Sequence, residues 1–258
     1  MISDPWFYLL AVPVVCLVGL SKGGFLSNLG ILGVPLLALA ISPVQAAAIM
    51  LPILILMDAI AVWAYRRSFD RSALVRLIPA AAAGIAIGWL TAAYVTDGHI
   101  RLIVGIVALA FTINHWRPLA PPVAASGSQR TRRKPGPLSG MFWGGLTGFT
   151  SFVSHAGGPP ASMYLLPLRL EKTYYVGTTA MLFAAVNLIK VPPYLMLGQF
   201  STANLATSAA LLPAAPLSML ASIWLVRRIP QEPFYRIAYG CLFIVALKLI
   251  WDGVASII

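Results

Sequence analysis

The chain has 258 residues, 59% of them hydrophobic and 10% charged, with a mean hydropathy of +0.86. Soluble domains carry about 25% charged and 45–50% apolar residues, so there is too little polar surface here to coat a globule in water, which excludes a cytosolic enzyme. Eighteen Lys and Arg against seven Asp and Glu give a formal charge of +11. That excess marks membrane topology rather than nucleic-acid binding, because the cations gather at breaks between apolar runs.

Ten apolar runs follow in order: 6–20, 25–41, 44–64, 73–94, 100–113, 138–152, 159–168, 174–197, 205–226 and 234–258. About 20 apolar residues span a bilayer, so most of these read as membrane helices, while the first, sixth and seventh are short. The predicted fold is therefore an all-α polytopic membrane protein with short broken or re-entrant helices at its Gly-rich motifs. Cys16 and Cys241 both lie inside apolar runs, which leaves neither a disulfide framework nor a metal site. No cofactor is expected. The n-region 1–5 carries Asp4 and no Lys or Arg, so no cleavable signal is predicted.

Segment 115–137 is the one long polar stretch, with five prolines and the basic cluster Arg117, Arg130, Arg132, Arg133 and Lys134. It reads as a cytoplasmic linker between a first membrane repeat, 1–114, and a second, 138–258. The halves echo each other. Met50-Leu51-Pro52 with Phe69 recurs as Met181-Leu182-Phe183 with Phe200, and Arg101 to Gly105 recurs as Arg236 to Gly240. Loop 65–72 is basic while its counterpart near 198–203 is uncharged, and 96–99 lacks a cation while 227–231 is basic. Equivalent loops on opposite faces are the mark of two inverted-topology repeats of four or five membrane elements each, and they place both termini outside.

Ionisable and polar groups inside membrane runs are costly, which makes them candidates for function. The first break offers Ser21, Lys22, Gly23, Gly24, Ser27 and Asn28, where a broken helix would free backbone N–H groups for an anion and Lys22 would add a charge. The alternative is a tight turn with a topology lysine. The second break offers Ser151, Ser154, His155, Gly157, Gly158, Pro159 and Pro160, a backbone that stops and restarts as a short helix. Asp58, in the third run, is a proton-relay carboxylate or the partner of an interfacial Arg such as Arg66. Lys190 is an anion ligand or a snorkelling lysine, and the Pro192-Pro193 pair behind it should kink or end its helix. Gln45, Thr178, Thr179 and Asn187 serve a pore or bond helix to helix. No P-loop, H-E-x-x-H or G-x-S-x-G motif is present, which argues against ATP-driven transport by this chain alone and against an intramembrane hydrolase.

The Gly23-Gly24 break leading to Val34-Pro35-Leu36-Leu37, the Ser42-Pro43 turn, the helix starts Ala46-Ala47-Ala48 and Gly177-Thr178-Thr179, and their repetition after a basic linker resemble the sulfite exporter TauE/SafE family. The resemblance covers nearly the whole chain. It implies a multi-pass transporter of the bacterial inner membrane that exports small sulfur anions such as sulfite, sulfoacetate or other organosulfonates, with no enzymatic activity. Residue by residue, the expected substrate ligands are Lys22, Gly23, Gly24, Ser27, Asn28, Ser154, His155, Gly157, Gly158, Asn187 and Lys190, with Asp58 and His155 as proton-coupling groups. The partners expected are the anion and the lipid bilayer, with homo-oligomerisation open. An importer or channel for another small anion, and a non-transporting assembly partner, are the alternatives.

Overall fold

A computed structural model describes residue 2 and residues 4–25, 28–91, 97–116 and 136–256. Most of the basic linker expected at 115–137 lies outside the described residues. Among those described there is no strand, and eleven α-helices follow one another: α1 Pro5–Lys22, α2 Gly33–Leu37, α3 Pro43–Tyr65, α4 Arg71–Thr91, α5 Asp97–Trp116, α6 Pro137–Ser154, α7 Gly158–Leu165, α8 Lys172–Met196, α9 Thr202–Leu211, α10 Ala214–Arg228 and α11 Gln231–Ala255. Short 3₁₀ turns at Leu29–Leu32 and Leu166–Leu168 complete the chain trace.

Polar caps between apolar runs set the helix starts. Asp4 accepts a hydrogen bond from the Trp6 amide at 3.0 Å, Asp70 from the Ala73 amide at 2.9 Å, and Ser201 from the Asn204 amide at 3.2 Å. Pro5 and Pro43 follow caps at the first helical position, where a missing N–H costs nothing. Helices α1, α3, α4, α8 and α11 are each long and apolar enough to cross a membrane, and α9 with α10 makes a sixth candidate bent by 44°. The protein is a multi-pass α-helical membrane protein.

Three expectations from sequence change. The run 25–41 is not one span: a turn, a 3₁₀ segment and five-residue α2 replace it, because Gly23 and Gly24 end α1 and Pro35 has no N–H to give to a longer helix. The run 205–226 divides at Pro213, which cannot continue the hydrogen-bond ladder of α9. Of the kink or end expected at Pro192 and Pro193, the end does not occur, since α8 continues through both to Met196. The eight residues of α7 extend only about 12 Å at 1.5 Å per residue, so α7 is a half-helix inside the protein, with all but its first residue buried.

Packing joins elements across the linker. Helix α1 lies on α10, α4 on α6, α3 on α8 and α5 on α11. Small residues make the close crossings possible, since lipid tails are as apolar as side chains and shape, rather than hydrophobicity, holds membrane helices together. A Cβ at Gly148 would overlap the Ala81 carbonyl of α4, and one at Gly84 would overlap the Gly145 carbonyl of α6. On the α1–α10 crossing, Gly19 and Gly23 accommodate Ser218 and Ser222 in the same way. Loop 65–71, the start of α8 and the α10–α11 turn cluster at one end: the Asp70 amide donates to Thr178 at 2.8 Å, and Lys172 donates to the carbonyls of Arg227 and Ile229. Arg66, Arg67, Arg71, Lys172, Arg227 and Arg228 therefore share one face.

Candidate functional site: a polar cavity between the two breaks

The two chain breaks face each other across a cavity of about 120 Å³, a volume that holds several water-sized groups. Its polar lining comes from Ser21, Lys22, Gly24 and Asn28 of the first break, Ser151, His155, Gly158 and Ser162 of the second, Asp58 of α3, and Tyr175, Thr179, Asn187 and Lys190 of α8. Val18, Ile31, Val34, Met50, Leu54 and Phe183 form an apolar wall. Eleven of the sequence candidates, Ser21, Lys22, Gly24, Asn28, Asp58, Ser151, His155, Gly158, Thr179, Asn187 and Lys190, thus meet in one place.

Local chain geometry explains how each arrives there. Gly24 has φ of 104°, which lets the chain reverse directly after α1. The Gly23 amide closes on the Gly19 carbonyl at 2.9 Å and the Gly24 amide on the Ser21 carbonyl at 3.1 Å. The backbone donors expected from this break are thereby committed to ending α1. Asn28 also takes a left-handed conformation, with φ of 77°, which Asn tolerates better than most residues. At the second break His155 is left-handed with φ of 55°, and the Ala156 amide donates to the Thr150 carbonyl at 3.0 Å. Pro159 and Pro160 carry no N–H, so of the first three residues of α7 only Gly158 has an amide to offer. Side chains, rather than helix-end amides, dominate the donors of this cavity.

Their arrangement is asymmetric. Lys22 forms an ion pair with Asp58 Oδ1, and Asn187 Nδ2 donates to Asp58 Oδ2 at 2.6 Å. The Lys22 ammonium also lies 5.9 Å from the centroid of the Phe183 ring. Arg66, the alternative partner for Asp58, instead stacks over Trp63. Lys190 is 1% exposed, and its ammonium donates to the carbonyl and hydroxyl oxygens of Ser151, each at 3.3 Å. Among the described residues no carboxylate pairs with it. Two lysines and one aspartate thus line the cavity, and the aspartate is paired with only one of the lysines.

Opposite the lysines, Ser162 donates to Asn28 Oδ1 at 2.8 Å and lies 3.2 Å from the Tyr175 hydroxyl. With the serine proton directed at Asn28, the tyrosine supplies its own proton to Ser162. In this arrangement Asn28 Oδ1 is the accepting end and Nδ2 is the end left over. That Nδ2 is buried and has no hydrogen-bond partner among the described residues. A buried donor left unmade costs about 1–3 kcal/mol, which a ligand acceptor would recover. His155 Nε2 lies 3.3 Å from the Tyr194 hydroxyl at the cavity edge.

Other candidates fall elsewhere. Gly23 and Gly157 do not line the cavity; each permits close packing, Gly23 against Ser222 and Gly157 against Ser151. Ser154 closes α6, and Ser27 lies outside the described residues. Gln45 bonds Asn204 at 3.2 Å, and Thr178 serves the Asp70 amide, so both connect helices. Ser162, Tyr175 and Phe183 were not foreseen. The helical spacing of Tyr175, Thr179, Phe183, Asn187 and Lys190 along one face of α8 was the signal that would have found two of them.

A multi-pass helical protein whose two broken segments enclose a polar, lysine-lined cavity has the build of a secondary transporter rather than of a pore-less scaffold. Residues 11–249 match the profile of the sulfite exporter TauE/SafE family, and the chain belongs to that family of membrane transporters. Neither the curated proteins nor the solved structures yield a match.

Proposed function

We propose that this protein exports small sulfur-containing anions, sulfite or short organosulfonates, through the cavity between the two breaks. The observation that carries the reading is the pairing, in one buried space, of Lys190 without a carboxylate partner and Asn28 Nδ2 without an acceptor. A sulfonate or sulfite head bears several oxygens around one centre. It can accept from both groups at once, while a short carbon chain rests on the apolar wall. Family membership supports the sulfur chemistry.

The pattern of helix contacts supports inverted repeats. Exchanging the first-half elements with their second-half counterparts carries the α1–α10 contact onto α6–α4 and leaves α3–α8 and α5–α11 in place. The halves then rock about the central anion by alternating access. With the basic face cytoplasmic, both termini lie outside, and a membrane potential negative inside drives anions outward by about 2.3 kcal/mol per charge per 100 mV. Export needs no coupling ion under that gradient.

Thermal-shift and calorimetric titration of purified protein with sulfite, methanesulfonate, sulfoacetate, acetate and phosphate tests the reading. Stabilisation by the sulfur anions beyond that by acetate is the expected result. Equal indifference to all of the sulfur anions removes it.

A further inference from the structure

We infer that Asp58 is a resident anion, a built-in competitor that occupies the ligands Lys22 and Asn187 while the cavity is empty and yields them to the incoming substrate. The inference rests on the anion-binding reading of the cavity and adds to it the means of release. Three observations carry it. Asp58 and both of its partners line the cavity itself rather than an adjoining helix contact. Its two carboxylate oxygens are divided between two different donors on two different helices, the ammonium of Lys22 on α1 and the amide of Asn187 on α8. Those donors are of the kind a sulfonate head would take, and they lie in the same cavity as Lys190 and Asn28, whose donors lack an anionic acceptor.

The cavity therefore holds two sets of donors, one set carrying an anion already and one set waiting for one. An incoming sulfonate first meets Lys190 and Asn28. Full coordination requires Lys22 and Asn187 to turn from Asp58 to the substrate, and their return to Asp58 expels it. Because the pair joins α1 to α3 and the amide joins α3 to α8, the exchange also loosens and remakes a contact among three helices. An anion bound without such a competitor would be held tightly and released slowly, since a carrier needs a site that is satisfied when empty as well as when full.

The competition has a signature that simple repulsion between Asp58 and the substrate lacks. Removing the carboxylate helps binding mainly when Lys22 is present to be freed, since the neutral Asn187 amide it also releases is the weaker ligand for an anion. Methanesulfonate is the probe, because its sulfonate holds no proton over the working pH range. Calorimetric titration of the full chain should show Asp58→Asn binding about tenfold more tightly than wild type, an amount typical of coupling between contacting groups. Asp58→Ser, a second neutral replacement, should do the same. In the Lys22→Ala background the further change Asp58→Asn should leave affinity within about twofold, the coupling having been removed. In proteoliposomes Asp58→Asn should lower turnover although it binds more tightly, an opposition that damage to the fold would not produce.

Equal gains from Asp58→Asn with and without Lys22 would reduce the effect to bulk repulsion and overturn the inference. Weaker binding in both neutral variants would overturn it too, making Asp58 a support for Lys22. In each of those cases wild-type binding of methanesulfonate leaves the transport reading standing. Wild-type protein that binds no sulfonate overturns both.

Discussion

Lys190 and Asn28 are the two residues on which the proposed anion site chiefly rests. A lysine amine 1% exposed, with only neutral oxygens as partners, is costly to bury in the absence of an anion. Lys190→Met should therefore leave thermal stability unchanged or raise it while weakening methanesulfonate binding at least about tenfold, since a hydrogen bond to a charged group is worth roughly 1.5–3 kcal/mol. Paired melting and calorimetric titration check both halves of that statement. Asn28→Gly keeps the left-handed backbone and deletes the Nδ2 donor, so the chain should fold normally and bind the anion several-fold more weakly. Asn28→Val at the same φ of 77° adds backbone strain of about 1–3 kcal/mol, visible as a lowered melting temperature. The charged members of this site were legible in sequence because a Lys or Asp inside an apolar run has few explanations. Their pairings were not: Asp58 could be matched to Arg66 by proximity in the chain, whereas its partner Lys22 comes from a helix 36 residues earlier. Ser162 remained hidden, since small hydroxyls on membrane helices commonly bond within their own helix, as Thr147, Thr150 and Thr179 do here.

At the scale of elements, the α4–α6 crossing depends on bare backbone. Gly148→Ala would drive a methyl group into the Ala81 carbonyl and should lower stability by about 1–3 kcal/mol. Gly145→Ala is the control, because a Cβ there meets only the Ala80 carbonyl at 3.7 Å, an ordinary contact. Comparison of the two melting temperatures in one detergent decides whether close approach, rather than helix propensity, is at issue. Hydropathy located the long helices well, since about 20 apolar residues admit little else. It failed where proline decides the outcome. Pro213 breaks a run that reads as continuous, whereas Pro192 and Pro193 sit inside α8, which packs on α3 and α4. Proline removes a donor in each case, and only the surrounding structure determines whether the helix continues.

Taken as a whole molecule, the chain carries most of its described loop cations at one end, where Lys172 bridges to the carbonyls of Arg227 and Ile229. If that end faces the cytoplasm, reporter fusions after Arg67 and after Arg228 should report the inside and a fusion after Ser256 the outside; the reverse pattern would invert the proposed direction of transport. The contact map also ties each half to the other, with α1 resting on α10 and α4 on α6. A chain cut within the linker should consequently need both fragments present, neither resisting proteolysis alone. The α1–α10 crossing has a further consequence during synthesis. Ribosomes add about 5–20 residues per second, so α1 waits roughly 10–40 s before α10 exists to cover Gly19 and Gly23. Through that interval its small-residue face is open to lipid or to other nascent helices. The bilayer and its insertion machinery must therefore shelter the first helix until nearly the last one arrives.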